Sequence, residues 1–262
     1  MRMILPLVMI LVGCGSSDGT GNPSGDDAPT EDPPFEPAVT RVVYEIDYEQ
    51  GQEPFTGPIL GFGDTFDTMV ANTNRVFANK KTVTIPRAVA DMEDIGAIAD
   101  EELTVADLLA IADAHRNQHD GGGAKTYYIV FVSGHFADAN GVNTGVLGVS
   151  LGGTGVIAMF KDTIRSTNVP AFPNIVRFVE QSTMVHEGAH AIGLVDNGVE
   201  PTTQHTDAAH GAHCTNDKCV MYYLNEGATD AAMFARTYVV SGNSILFDQA
   251  CLDDVDALTG GL

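Results

Sequence analysis

The tightest constraint on this chain is the stretch Met184-Val185-His186-Glu187-Gly188-Ala189-His190-Ala191-Ile192-Gly193. Ahead of it, Ile175, Val176, Phe178, Val179, Met184 and Val185 recur at helical spacing behind Asn174, a residue suited to capping a first turn. The stretch therefore falls late in a long, buried helix. On such a helix His186 and His190 project from one face with Cβ atoms about 5–6 Å apart, so that two imidazoles can close on one zinc ion. Glu187, one step round, cannot easily share that set but can reach a metal-bound water as general base. Gly193, three residues past His190, suits a left-handed turn that ends the helix and sends the chain back below the metal. A helix so apolar has no packing use for two histidines and a glutamate, and the spacing predicts a metal site.

The chain begins with an export signal. In residues 1–13, Arg2 provides a positive start, and the apolar run over residues 4–12 is too short to span a bilayer as a helix. Leu11-Val12-Gly13-Cys14 resembles the bacterial lipobox, whose cysteine becomes the lipidated first residue of the mature protein. Residues 14–37 are Gly, Ser, Asp and Pro with almost nothing to bury, and read as a flexible tether. Residues 38–262 are long enough for one domain, with an N-terminal part to about residue 193 and a C-terminal part over 194–262. These features place the protein in a bacterial cell envelope, lipid-anchored on an extracytoplasmic membrane face. The net charge of −22 favours solubility and argues against nucleic acid or anionic lipid headgroups as partners. A monomer is the default.

Arg41–Tyr48, residues 82–85 and the apolar run 127–132 read as strands, the last of them buried. Residues 66–79 read as a helix with Phe66, Met69, Val70 and Phe77 inward. Thr104 and Asp107 form a capping box for a helix over 105–116 that turns Leu108, Leu109 and Ile111 to one side. Two glycine-linked strands over 145–151 and 155–160 read as a hairpin or an irregular edge, where an extended peptide could add as a further strand.

Beyond Gly193 the chain reads Leu194-Val195-Asp196-Asn197-Gly198 and, after a polar insertion, His210-Gly211-Ala212-His213-Cys214-Thr215-Asn216-Asp217-Lys218-Cys219-Val220-Met221-Tyr222-Tyr223. His186, Glu187, His190, Gly193 and Met221 match the metzincin zinc peptidases, which follow the helix motif with a methionine-bearing turn beneath the metal. Within that clan, His213-Cys214 followed by Cys219-x-Met221 resembles the archaemetzincins. The resemblance implies an α+β fold with a twisted mixed sheet, an edge strand over the cleft, a long active-site helix and a small C-terminal subdomain with a methionine turn. It implies His213 as third zinc ligand and Tyr223 as a transition-state phenol. The match has one departure: archaemetzincins place the third histidine three residues after the glycine, where this chain has Asp196. Asp196 is thus the reserve ligand, as in the snapalysin-like metzincins.

The same family binds a structural zinc through four cysteines. Here Cys214, Cys219 and Cys251 are joined by Asp248 in the place of the fourth, so a second zinc is conceivable, and a Cys214–Cys219 or Cys219–Cys251 disulfide is about as consistent with export. His205, Asp207 and His210 lie in the insertion as supporting groups, a second ion site or solvated loop, the last being the reading for His205. The expected function is a zinc endopeptidase acting on extracytoplasmic proteins or peptides, with Glu187 as general base. Two alternatives stand beside it. Asn225-Glu226-x-x-x-Asp230 resembles the gluzincin helix, with Glu226 as third ligand and Asp230 behind a histidine, and a non-catalytic metal-binding surface lipoprotein would keep the scaffold without the chemistry.

Overall fold

A computed structural model describes residues 33–261. The expected signal, Cys14 and the tether as far as residue 32 lie outside the described residues. The last tether residues are part of the body. Phe35 packs on Phe77 with ring centroids 5.3 Å apart, and Lys81 Nζ donates to the Glu36 carbonyl at 3.0 Å. The body thus starts a few residues ahead of 38, because Phe35 carries apolar surface to bury.

The fold is α+β around a twisted mixed sheet. Its strand order is Gly148–Leu151, Val156–Phe160, Ala124–Val132, Arg41–Tyr48 and Thr82–Thr84, with Glu93–Asp94 pairing the far end of Arg41–Tyr48. All these pairings are parallel except that of Gly148–Leu151, which runs antiparallel along the edge. Every residue of Ala124–Val132 is buried, as a strand covered on both faces requires. Its side chains alternate between two cores. Tyr127, Ile129 and Phe131 face a core shared with the helix Ile175–Ile192, while Tyr128, Val130 and Val132 face Leu103, Leu108 and Ala112 on the other side.

The helix Asp67–Val76 buries Met69 between Phe66 and Phe77, themselves buried at its two ends, while Val70 is half-buried. Thr104 and Asp107 form the reciprocal capping box that opens Val105–His115. Leu109, expected inward, is exposed: Leu108 and Ala112, four apart, form the buried stripe, and Leu109 falls a quarter-turn away.

The helix Ile175–Ile192 crosses the core beside the edge strand. Asn174 does not cap it through its side chain. Its backbone is already helical, and its carbonyl instead accepts from the amides of Arg177 and Phe178 at 3.1 and 3.3 Å. In mid-helix Glu180 is wholly buried against Lys161, with a further bond from the Phe55 amide at 2.7 Å. Burial pushes the Lys161 amine down and the Glu180 carboxyl up, against the attraction between them. The helix stops at Gly193 with φ 99°, the Leu194 amide reaching back to the Ala189 carbonyl at 3.0 Å. A side chain at 193 would meet the Asn197 carbonyl at 2.9 Å, so the position demands glycine.

From there residues 194–222 run as loops and turns to a short 3-10 turn, Tyr223–Glu226, followed by the helices Ala228–Ser241 and Gln249–Thr259. The buried Met221 lies in the core shared with Met184 and Val185 of the long helix. No helix among the described residues is long and apolar enough to cross a membrane.

Candidate metal centre

The long helix presents His186 and His190 on one face, and the chain beyond Gly193 brings His213 and Glu226 to them. One nitrogen or oxygen from each of the four lies within 4.8 Å of the others. His186 Nε2 and His190 Nε2 are 3.1 Å apart, and Glu226 Oε1 is 3.0 Å from His213 Nε2 and 4.0 Å from His186 Nε2. Ligand atoms on a tetrahedral zinc at 2.0–2.1 Å stand about 3.3 Å apart, so the cluster has the dimensions of a zinc site.

Ring orientation supports the same reading. His186 Nδ1 donates to the Val220 carbonyl and His213 Nδ1 to the His210 carbonyl, each at 2.7 Å. These bonds place the protons on Nδ1 and turn bare Nε2 atoms inward, which is how metal-bound imidazoles are held. His213 Nε2 is buried without a hydrogen bond, although the Glu226 oxygen is 3.0 Å away, so the contact lacks donor alignment. Burial and the neighbouring His213 lower His186 to about 4, and burial with His186 presses His190 well down. Both rings are therefore neutral at pH 7. Burial also presses His213 down, but the Glu226 carboxylate outweighs it and leaves His213 above its ordinary value. Burial raises Glu226, but His213 and His186 together bring it below its usual range.

Local chemistry explains how His213 arrives. The Asp207 amide donates to the His213 carbonyl at 2.7 Å, the Cys214 amide to Met221, and the Thr215 amide to His205, so residues 205–222 are clasped into short rungs. Asn225 Nδ2 donates to the carbonyls of Cys219 and Val220, both at 3.0 Å, fixing the turn that orients His186. Val220 and Asn225 escape sequence reasoning: a backbone carbonyl carries no residue signature, and Asn225 reads only as part of a gluzincin match.

Glu187 is buried between the long helix and the edge strand. Burial and then the charge of Glu226 hold its carboxyl well above the usual range, against a bond from the Ser150 backbone amide. A methyl at Gly148 would come within 2.9 Å of Glu187 Cγ and 3.0 Å of Thr183 Cγ2, so the glycine lets the edge strand close on this carboxylate.

The other expected residues fall as follows. Tyr223 stacks flat on His210 with ring centroids 3.6 Å apart, and His210 is itself paired to Asp207 at 2.7 Å. Asp196 is exposed in a left-handed turn with φ 62° and stands outside the four-residue cluster. Asp230 sits in the first turn of Ala228–Ser241. Glu226 reaches the histidines from the 3-10 turn, not from a helix continuous with Asp230.

Cys214, Cys219, Cys251 and Asp248 form a second cluster with donor atoms within 4.8 Å of one another. The cysteines are unbridged, so neither expected disulfide is present; Cys219 Sγ and Cys251 Sγ are 3.6 Å apart, beyond bonding distance. Asp248 caps the last helix through Oδ1 and approaches Cys214 Sγ at 3.5 Å through Oδ2. His205 is not solvated loop. It is buried, with Nε2 2.7 Å from Asp254 Oδ2 and Nδ1 3.9 Å from Cys251 Sγ, because the rung at Thr215 folds the insertion inward. The partner Asp254, forty-nine residues away, gave no local signal.

No protein-family model matches this chain, and no curated protein matches it. The solved structures similar to it include these two. One is archaemetzincin from Methanopyrus kandleri, at 11% identity, covering 86% of this chain and 98% of that chain with a TM-score of 0.43. The other is a zinc-dependent peptidase from Methanocorpusculum labreanum (strain Z), also at 11% identity, covering 81% of this chain and 99% of that chain with a TM-score of 0.44.

Proposed function

We propose that the protein is a zinc-dependent endopeptidase with His186, His190 and His213 as ligands and Glu187 as general base. The observation that carries this reading is the convergence of three imidazoles, two with Nδ1 bonded to backbone carbonyls, beside a buried carboxylate at the sheet edge. A zinc ion held by these rings would supply Lewis-acid polarisation of a scissile carbonyl and lower the pKa of a water. The chain's own residues do the rest. Glu187 takes a proton from the attacking water at its carboxylate and passes it to the leaving amide nitrogen, a double duty that its place next to His186 on the helix allows. The edge strand Gly148–Leu151 offers backbone groups with which an extended peptide could pair. Tyr223 is the candidate phenol for the developing oxyanion and would have to leave its stack on His210 to serve. Cys214, Cys219 and Cys251, with Asp248, are suited to a second, structural zinc.

Digestion of an unfolded protein substrate tests the enzyme reading. Chelation should abolish cleavage and one added equivalent of zinc should restore it. A protein that holds the ion and cleaves nothing would be the metal-binding surface protein instead.

The same proposal places the enzyme on a membrane through a lipid on Cys14, with residues 15–32 as reach. The support is the sequence around Cys14 alone. Cys14→Ser should move the protein from the membrane fraction to the soluble or secreted one with the domain still folded. Unchanged partition without an acyl mass on the N-terminal peptide would sink it.

A further inference from the structure

We propose that Glu226 is a fourth, displaceable protein ligand, and that the segment 224–227 carrying it closes the coordination position a substrate needs. The proposal rests on the zinc reading of the histidine cluster and goes beyond it by assigning this cluster a resting, closed state.

Three observations converge. The first is distance: Glu226 Oε1 lies 3.0 Å from His213 Nε2 and 4.0 Å from His186 Nε2, within the same cluster as His190. The second is orientation. His213 gives its Nδ1 proton to the His210 carbonyl, so in the neutral ring a bare Nε2 faces a carboxylate oxygen with no aligned hydrogen between them. A proton on Nε2 or a shared metal ion would each draw the two together, and the two further imidazoles of the same cluster favour the metal ion. The third is how the segment is anchored. Asn225 holds the turn through two carbonyl bonds, the Gly227 amide closes on the Leu224 carbonyl at 3.0 Å, and an antiparallel bridge joins Gly227 to Val146. Val146 is two residues ahead of the edge strand Gly148–Leu151. The segment therefore pairs with the run leading into the strand proposed to take the peptide, while its carboxylate reaches the Nε2 atoms of His186 and His213.

A zinc with four protein ligands is closed, whereas hydrolysis needs an open position. Glu226 is the ligand suited to yield. Its side chain is 34% exposed, against 1% for His186 and for His213, and no hydrogen bond ties its carboxylate elsewhere among the described residues. An extended peptide pairing along the edge strand would compete with Gly227 for Val146 and draw the carboxylate away as it binds.

The experiment compares wild type with Glu226→Gln and Glu226→Ala, all zinc-loaded, and reads three quantities. These are zinc affinity by competition with a chelating dye, affinity for acetohydroxamate as a small zinc-binding probe, and peptide hydrolysis. Zinc affinity should fall at least about tenfold in both variants, since even outer partners of a metal site are worth 10–100-fold. Acetohydroxamate should bind at least tenfold more tightly to Glu226→Ala, and hydrolysis at saturating zinc should rise. Unchanged affinities for zinc and probe would overturn the proposal, as would loss of hydrolysis with no gain in probe affinity, which would make Glu226 a working part and not a gate. Zinc that binds wild type and His186→Ala equally would overturn the zinc reading itself, which the Glu226 variants alone could not do.

Discussion

Glutamine at position 187 should leave the histidine site fully loaded and lower peptide turnover by about 10²–10⁴-fold. The amide keeps the shape that Gly148 and Thr183 enclose, so the fold and the ligands beside it are undisturbed. What it removes is a carboxylate that can accept a proton and later release it. Because the proposed role is one played in the transition state, the loss should fall on kcat with KM little changed. Steady-state kinetics on a fluorogenic peptide, with metal content measured on the same sample, checks both halves. Near-normal turnover would mean that another group is the base.

The second large effect concerns the third imidazole. His213→Ala should lose the activity and bind the ion far more weakly, because it leaves two imidazoles and only the displaceable Glu226 to hold it. Asp196→Ala should keep both ion and activity, since Asp196 lies exposed outside the cluster. Zinc bound among the cysteines would blur a simple count, so the informative quantity is metal content relative to a His186→Ala control. Zinc retained by His213→Ala and lost by Asp196→Ala would assign the third position to the aspartate.

The two variants probe different kinds of knowledge about the chain. Helix periodicity around residues 175–192 and the four-residue spacing of His186 and His190 are local facts, and the structure has them as expected. The Asn174 cap and the inward Leu109 were also local readings, yet each failed where backbone conformation or the packing of a neighbouring element decided the matter. The hairpin edge was legible because glycines and β-branched runs mark it. That Gly148 exists to let Glu187 approach was not, since the contact spans thirty-nine residues.

By itself the sequence determined a long helix ending at a glycine, two histidines on one face with a glutamate beside them, and a strand apolar enough to be buried on both sides. These follow from i, i+4 geometry, from the conformational freedom of glycine at φ 99° and from hydrophobic patterning, all of which act over a few residues. Tertiary structure alone decided which side chains meet the two histidines. Sequence treats His213, Asp196 and Glu226 as rivals for one place, but the rungs over residues 205–222 and the turn held by Asn225 bring His213 and Glu226 in together and leave Asp196 in solvent. The same folding buries His205 against Asp254 and gathers Cys214, Cys219, Cys251 and Asp248, the set that the resemblance implied beside the disulfide alternatives. The physical reason is that a loop's path is set by which distant carbonyls and amides it can satisfy, and those partners are known only once the whole chain is in place.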